Sequence, residues 1–291
     1  MLSLHQLRTF LEIAQTGSVR EAADRLVVSQ PAVSSALAAL QRTVGTPVVA
    51  RDGRGLRLTP AGETLAAYGR RVFALLDEAL VHTRAAGGAS ALPVKLAVVT
   101  TAAEQLVPAL LTGFDVRVPG AAVDLHVANR DAVWDRLLHG EADLALGGRP
   151  PDDRFTTCAV RENVLVVVGA ARRGLDAAAL AGATWLVREP GSGTRATTET
   201  LFESLGIAPK TTTVGSNGAI LGCLRAGLGV SLLSRGAVAR ELADGSATEI
   251  PTPHTPLRRD WHLVALAGRP LPPGARRFVE HAVETGAFRA V

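Results

Sequence analysis

Apolar residues at the start of the chain recur at helical intervals. Leu4, Leu7, Phe10, Leu11 and Ala14 fall three or four positions apart and define one face of a helix. Gly17 ends that run, and Ser18 opens a short second helix carrying Ala22, Ala23 and Leu26. After three more residues Ser29 opens a third, with Pro31 in its first turn, where a missing N–H costs little. Val33, Leu37, Leu40 and Val44 form its apolar stripe, and Gly45 stops it. Ser3 to Gln6 and Ser18 to Glu21 both have the S-x-x-E/Q form, in which hydroxyl and acid or amide satisfy each other's backbone N–H. The run Arg51-Asp52-Gly53-Arg54-Gly55-Leu56-Arg57 then predicts a basic hairpin.

Thr59-Pro60 begins a long helix reaching about Ala86. Leu65, Tyr68, Val72, Leu75 and Ala79 make one stripe along it, and Phe73, Leu76 and Leu80 a second. Two stripes imply two buried faces, one against its own domain and one against a partner. Gly87-Gly88-Ala89-Ser90 follows as a joint. From Lys95 the pattern alternates between short strands and helices. Strands are expected at 95–100, 123–129, 143–146, 164–169, 184–187, 211–215, 230–233 and 261–267. Helices are expected at 102–111, 131–139, 194–205, 219–226, 237–243 and 273–285. That rhythm predicts parallel sheets flanked by helices, in two lobes with crossings near Asn163 and Ala267.

Charge sharpens this division. Residues 1–90 hold ten arginines against seven acids, whereas residues 91–291 are nearly balanced, with 21 basic and 20 acidic side chains. The excess lies where phosphate contact would use it. With 47% hydrophobic residues the chain has material for a large core. It contains no apolar run long enough to span a membrane and opens directly on an amphipathic helix, so a cytoplasmic protein is expected. Cys158 and Cys223 lie far apart in apolar stretches and read as buried, inert thiols. The seven histidines are scattered without metal-ligand spacing.

Two helices joined by a turn this short, the second opening on small polar residues, form a helix-turn-helix pattern. Gln30, Ser34 and Ser35 would face the major groove, with Arg20, Ser29, Pro31, Arg51 and Arg54 completing a DNA-binding set.

The stretch from Phe10 to Gly62 resembles the winged helix-turn-helix of LysR-type transcriptional regulators. The matching residues are Ala22-Ala23-Asp24-Arg25-Leu26, Ser29-Gln30-Pro31-Ala32-Val33-Ser34, Leu37, Leu40, Gly45, Arg51, Gly53-Arg54 and Leu58-Thr59-Pro60-Ala61-Gly62. Gln41 stands where the family usually has Glu. Asn129-Arg130-Asp131, Gly148 to Pro151, Arg188 to Arg195 and Ser216-Asn217 resemble the branch that regulates carbon-fixation (RubisCO) operons. The resemblance implies an all-α winged helix-turn-helix over 1–58 and a linker and dimerisation helix with its hinge over 59–90. It further implies an α/β effector domain over 91–291, two-lobed and periplasmic-binding-protein-like (type 2). Lobe I would comprise 91–163 and 267–291, and lobe II 164–266. The implied partners are double-stranded DNA, a small effector, a second or fourth copy of the chain, and RNA polymerase.

In such sheets ligands gather beyond strand ends, where helix N-termini favour anions. The candidate effector residues are Thr100, Thr101, Asn129, Glu189, Gly191, Ser192, Gly193, Thr194, Arg195, Ser216 and Asn217. The effector would be a carboxylate or a phosphorylated metabolite, with no cofactor. Taken singly, each Ser, Thr or Asn is as well explained as a helix cap. An enzyme on the same fold, or a solute-binding protein, is the alternative. The enzyme would have no use for the N-terminal head, and no nucleophile–base pair stands out; the expected lack of a signal peptide opposes the solute-binding protein.

Overall fold

The structure, a computed structural model, describes residues 1–53, 55–86, 93–170 and 178–291. Arg54 and the 87–90 joint lie outside the described residues. Two compact units are present, one of Met1–Leu80 with His139–Glu141, the other of Val81–Leu138 and Ala142–Val291.

In the first unit α1 (Leu4–Thr16), α2 (Val19–Leu26) and α3 (Gln30–Val44) precede the hairpin β1 (Val49–Asp52) and β2 (Gly55–Leu58), and α4 runs Pro60–Ala86. Leu7, Phe10, Ile13, Ala22, Ala23, Val33, Leu37, Leu40 and Val48 close one core. Leu4 and Val44, placed on the apolar stripes by their spacing, are exposed because they fall at helix ends. Ser3 and Gln6 form the reciprocal box. The second box is half made: Ser18 Oγ accepts from the Glu21 N–H at 3.3 Å, but the Ser18 N–H goes to Thr16 Oγ1 at 3.3 Å instead of to Glu21. Gln41 accepts from the Val48 N–H at 2.9 Å, which an amide does as well as the family's carboxylate. The Leu56 N–H donates to Gly17 O at 2.8 Å and ties the hairpin to the turn before α2. Thr59 Oγ1 accepts from the Gly62 N–H at 3.0 Å and starts α4. A Cβ on Gly62 would overlap the Val48 carbonyl oxygen, so glycine is what lets α4 lie against β1.

The second unit begins with β3 (Val94–Val99), α5 (Thr100–Gln105), α6 (Val107–Arg117), β4 (Val123–Ala128), α7 (Arg130–Leu138), β5 (Leu144–Gly147) and β6 (Phe155–Arg161). It continues through β7 (Val164–Ala170), β8 (Trp185–Val187), α8 (Gly193–Leu205), β9 (Thr211–Thr213), α9 (Asn217–Arg225), β10 (Val230–Ser234), α10 (Ala239–Ala243), β11 (Ala247–Glu249) and β12 (Leu257–Arg258). The chain finishes with β13 (Trp261–Leu266), α11 (Pro273–Glu284) and β14 (Arg289–Ala290). One sheet has the order β14-β6-β13-β5-β3-β4; the other runs β11-β7-β10-β8-β9, with β12 also on β7.

Three features depart from the sequence reading. The sheets are mixed: β3 pairs parallel with β4 and β5, but β13 is antiparallel to β5 and β6, and β7 is antiparallel to β10, β11 and β12. Strand β6, Phe-Thr-Thr-Cys-Ala-Val-Arg, has too few apolar residues to announce itself. The return crossing lies between Arg258 and Trp261 rather than near Ala267, since β12 pairs in the second sheet and β13 in the first. The helix expected at 102–111 is two helices meeting at Leu106, because Pro108 has no N–H to continue the ladder.

Candidate functional site

On the head, the exposed side of α3 carries Gln30, Pro31, Ser34 and Ser35, opposite buried Val33 and Leu37. Arg20 at the start of α2 and Arg51 on β1 are also exposed. Ser29 Oγ accepts from the Ala32 N–H at 3.4 Å and so caps α3. The turn between α2 and α3 holds Val27 at φ 55°, left-handed and 90% exposed. That conformation is rare for a β-branched residue.

The two lobes of the second unit meet around a cleft lined by Thr100, Thr101, Asn129, Glu189, Ser192, Gly193 and Thr194. These come from strand ends more than ninety residues apart. Arg130, Gly148, Asn163, Arg188, Arg259 and Trp261 line it as well; none was among the expected effector residues, although Arg130, Gly148 and Arg188 belong to the motifs that carry the resemblance and Asn163 marked a crossing.

Capping and availability now separate. Asn129 Oδ1 accepts from the Ala132 N–H at 3.0 Å, and Ser216 Oγ from the Ala219 N–H at 3.2 Å, so both are caps. Ser192 sits at the N-cap of α8 yet makes no capping bond with its side chain. Its hydroxyl and the first-turn N–H groups of α8 face no protein acceptor among the described hydrogen bonds. A helix of thirteen residues thus presents its positive end to the cleft.

The remaining expected residues stand behind the wall. Asn217, 1% exposed, accepts from Arg188 Nη1 at 2.8 Å and donates to Thr101 Oγ1 at 3.0 Å and Glu104 Oε2 at 2.8 Å, joining the lobes. Arg195, expected to add a cation to the cleft, turns elsewhere. Its Nε meets Glu199 at 2.8 Å, and its Nη1 meets the Arg188 carbonyl at 3.0 Å and Thr213 Oγ1 at 3.3 Å. Glu199 lies one turn along the same helix, an ordinary i,i+4 pair that outcompetes the cleft. Gly191, at φ 81°, does not line the cleft; a Cβ there would press on the Asn129 amide.

The cation that does line the cleft is Arg259, on the segment between β12 and β13. Its Nη1 donates to the Gly193 carbonyl and, at 2.6 Å, to Thr197 Oγ1. A Cβ on Gly193 would overlap its guanidinium, and Gly148 flanks it from the other lobe. No carboxylate pairs with Arg259 among the described residues. Burial lowers its pKa from the ordinary arginine value, and repulsion from Arg130 lowers it further. Arg188 differs: its Nε and Nη2 bond Glu189 at 2.7 and 2.9 Å, so its charge is neutralised in place. Asn163 supports the crossing itself. Its Nδ2 donates to the Arg259 carbonyl at 3.0 Å, its own carbonyl accepts from the Arg259 N–H at 2.8 Å, and its Oδ1 accepts from Ser234 at 2.6 Å. Arg259 escaped the sequence reading because it sits in a polar joint between strands, and Asn163 was expected only as the place of a crossing. Two chain crossings needing a buried amide clamp were the available signal.

The two cysteines are both half-buried rather than buried, Cys158 on β6 and Cys223 on α9, each packed on a different core. Burial pushes the Cys158 thiol up. No cluster of metal-ligating side chains occurs among the described residues, and none of their helices is long and apolar enough to cross a membrane.

Residues 4–63 match the family described as "Bacterial regulatory helix-turn-helix protein, lysR family", and residues 87–287 match "LysR substrate binding domain". The chain is a LysR-family transcriptional regulator. It is 34% identical to the HTH-type transcriptional regulator CbbR of Rhodospirillum rubrum, over 95% of this chain and 94% of that one. It is 32% identical to the RuBisCO operon transcriptional regulator of Acidithiobacillus ferrooxidans, over 96% and 93%. The solved regulatory domain of Synechocystis CcmR in complex with 2-PG matches 66% of this chain and 96% of its own, at 29% identity and a TM-score of 0.62. These relatives are named as regulators, which decides against the enzyme and solute-binder alternatives.

Proposed function

We propose that this regulator is a cytoplasmic, DNA-binding sensor of a small dianion. The observation that carries the effector class is Arg259: a half-buried cation without a carboxylate partner among the described residues, beside Arg130 and at the open end of α8. The charged residues lining the cleft are Arg130, Arg188, Glu189 and Arg259; Arg188 and Glu189 pair with each other, which leaves the cations Arg259 and Arg130, the latter 3.9 Å from Asp131, to be met by ligand. A phosphorylated metabolite or dicarboxylate supplies that charge. The named ligand of the Synechocystis relative agrees with this class.

The head reads an operator in double-stranded DNA through Gln30, Ser34 and Ser35, with Arg20 and Arg51 on phosphates. Ser29 and Pro31 set the start of the reading helix. The stripe of Tyr68, Val72, Leu75, Leu76 and Leu80, all exposed on α4, is the dimer contact, and assembly to tetramers and contact with RNA polymerase follow the family pattern. Residues 1–58 serve as head, 59–90 as linker, and the remainder as sensor. Because Arg259 lies on a lobe crossing, a ligand held there favours one arrangement of the lobes by differential affinity.

Titration of the full chain with 2-PG tests this directly. The ligand should raise the melting midpoint, and the double variant Thr100→Val/Thr194→Ala should lose the rise while still binding upstream promoter DNA in fluorescence polarisation. An unchanged rise would reduce both threonines to helix-start residues.

A further inference from the structure

We infer that Glu189 makes the cleft selective for anions that also carry a hydroxyl donor; the inference rests on the cleft being the effector site. Glu189 lines the cleft alongside the cations, and 28% of its side chain is exposed. Arg188 does not exhaust the Glu189 carboxylate. Arg188 spends Nε and Nη2 on it, one bond to each oxygen, and a carboxylate has about four lone-pair directions. About two acceptor sites therefore remain on the partly exposed carboxylate of a residue that lines the cleft.

A bare anion entering beside Glu189 meets acceptors and brings no donor for them. An anion with a hydroxyl a few atoms from its charged head meets a strong, charge-assisted acceptor there. The lining thus offers two chemistries. Arg259, Arg130, the free Ser192 hydroxyl and the first turn of α8 take the anionic head. Glu189 takes the donor. Arg188 is 3% exposed and held from its third side by Asn217, so it fixes Glu189 in place rather than binding ligand. Discrimination of this kind works by leaving a buried polar group unpaired when the donor is missing.

The test uses the full chain and two phosphates that differ only in hydroxyls, glycerol 3-phosphate and n-propyl phosphate, in calorimetric titrations at pH 8. The wild type should prefer glycerol 3-phosphate by about tenfold, the scale of one hydrogen bond to a charged group. Glu189→Gln keeps the shape and one bond to Arg188 but removes the charge. In that variant n-propyl phosphate should bind more tightly and the preference should shrink to about twofold. Equal binding of the two phosphates by the wild type, or a preference that survives Glu189→Gln, overturns the role of Glu189 and leaves the anion site standing. If neither phosphate nor 2-PG binds the wild type, the anion site itself falls, and this inference with it.

Discussion

The head and the effector cleft solve recognition in opposite ways. On the head, the exposed residues Gln30, Ser34 and Ser35 are neighbours in sequence, and their geometry is fixed by one helix. The cleft assembles buried and half-buried polar groups from β3, β4, β8, α8 and the crossing at Arg259, and no two of those elements would hold the geometry alone. Local encoding makes the head tolerant of change at its reading face and intolerant in its supports. Distributed encoding makes the cleft sensitive to single supports such as Gly193 and Asn163.

The largest effect should come from a support in the head. Gly62→Ala sets a Cβ against the Val48 carbonyl and should cost about 3 kcal/mol, at the upper end for overpacking, because backbone must move. Operator binding should disappear at growth temperature, whereas the effector-induced rise in midpoint should persist. All three tryptophans, Trp134, Trp185 and Trp261, lie in the effector domain, so their fluorescence follows that unit separately. A head that melts unchanged in circular dichroism would show that α4 can shift at no cost.

Next is Arg259. Arg259→Met should weaken 2-PG binding by about 2 kcal/mol, the scale of a charge-assisted bond. It should also leave the free domain as stable or more so, since a half-buried cation beside Arg130 is removed. Destabilisation of the ligand-free domain would mean that the bonds to Gly193 and Thr197 dominate, and would make Arg259 a structural tie. On the head, Gln30→Ala should cost about 1–3 kcal/mol on operator and little on random DNA. Equal losses on both would place Gln30 on the backbone.

These contrasts explain what was legible in the sequence. The head could be read almost whole, since its caps, stops and stripes lie within a few residues of each other. The second box failed only because Thr16 competes for the Ser18 N–H. In the cleft, Thr100, Asn129, Ser192 and Thr194 were legible as polar residues after predicted strands. Arg195 was misplaced, because an arginine on the first turn of a helix can turn inward or along the helix, and Glu199 decided it. Arg259 could not be found, since its position depends on where the chain recrosses, and β6 and β12 were too short or too polar to show that.

Acid should affect the effector domain through His262 and His281. Burial lowers both below the ordinary histidine pKa. A histidine with a depressed folded pKa contributes stability that is complete above about pH 6.5, the unfolded value, and is lost as pH falls through the window down to its folded pKa. Each should therefore cost at most about 1.4 kcal/mol per pH unit within that window. His281 is 2% exposed with Nδ1 unpartnered, so His281→Gln should flatten the slope of urea midpoints followed by tryptophan fluorescence between pH 7 and about 5. An identical slope would assign the acid sensitivity to other groups.

The smallest effect concerns the turn of the head. Val27 caps α2 in the left-handed region, with its N–H bonded back to Ala23 and Asp24. That conformation costs an L-residue about 1–2 kcal/mol, and a β-branched side chain has no local bond to offset it. Asparagine tolerates the region better, so Val27→Asn should raise the midpoint of the head by an amount worth about 1 kcal/mol. With the side chain 90% exposed, no packing is lost in exchange. The informative result is the pairing of stability with affinity. If Val27→Asn stabilises the head and leaves operator affinity alone, the strain is incidental to reading DNA. If affinity falls as stability rises, Val27 touches the operator, and the reading surface extends from α3 back across the turn.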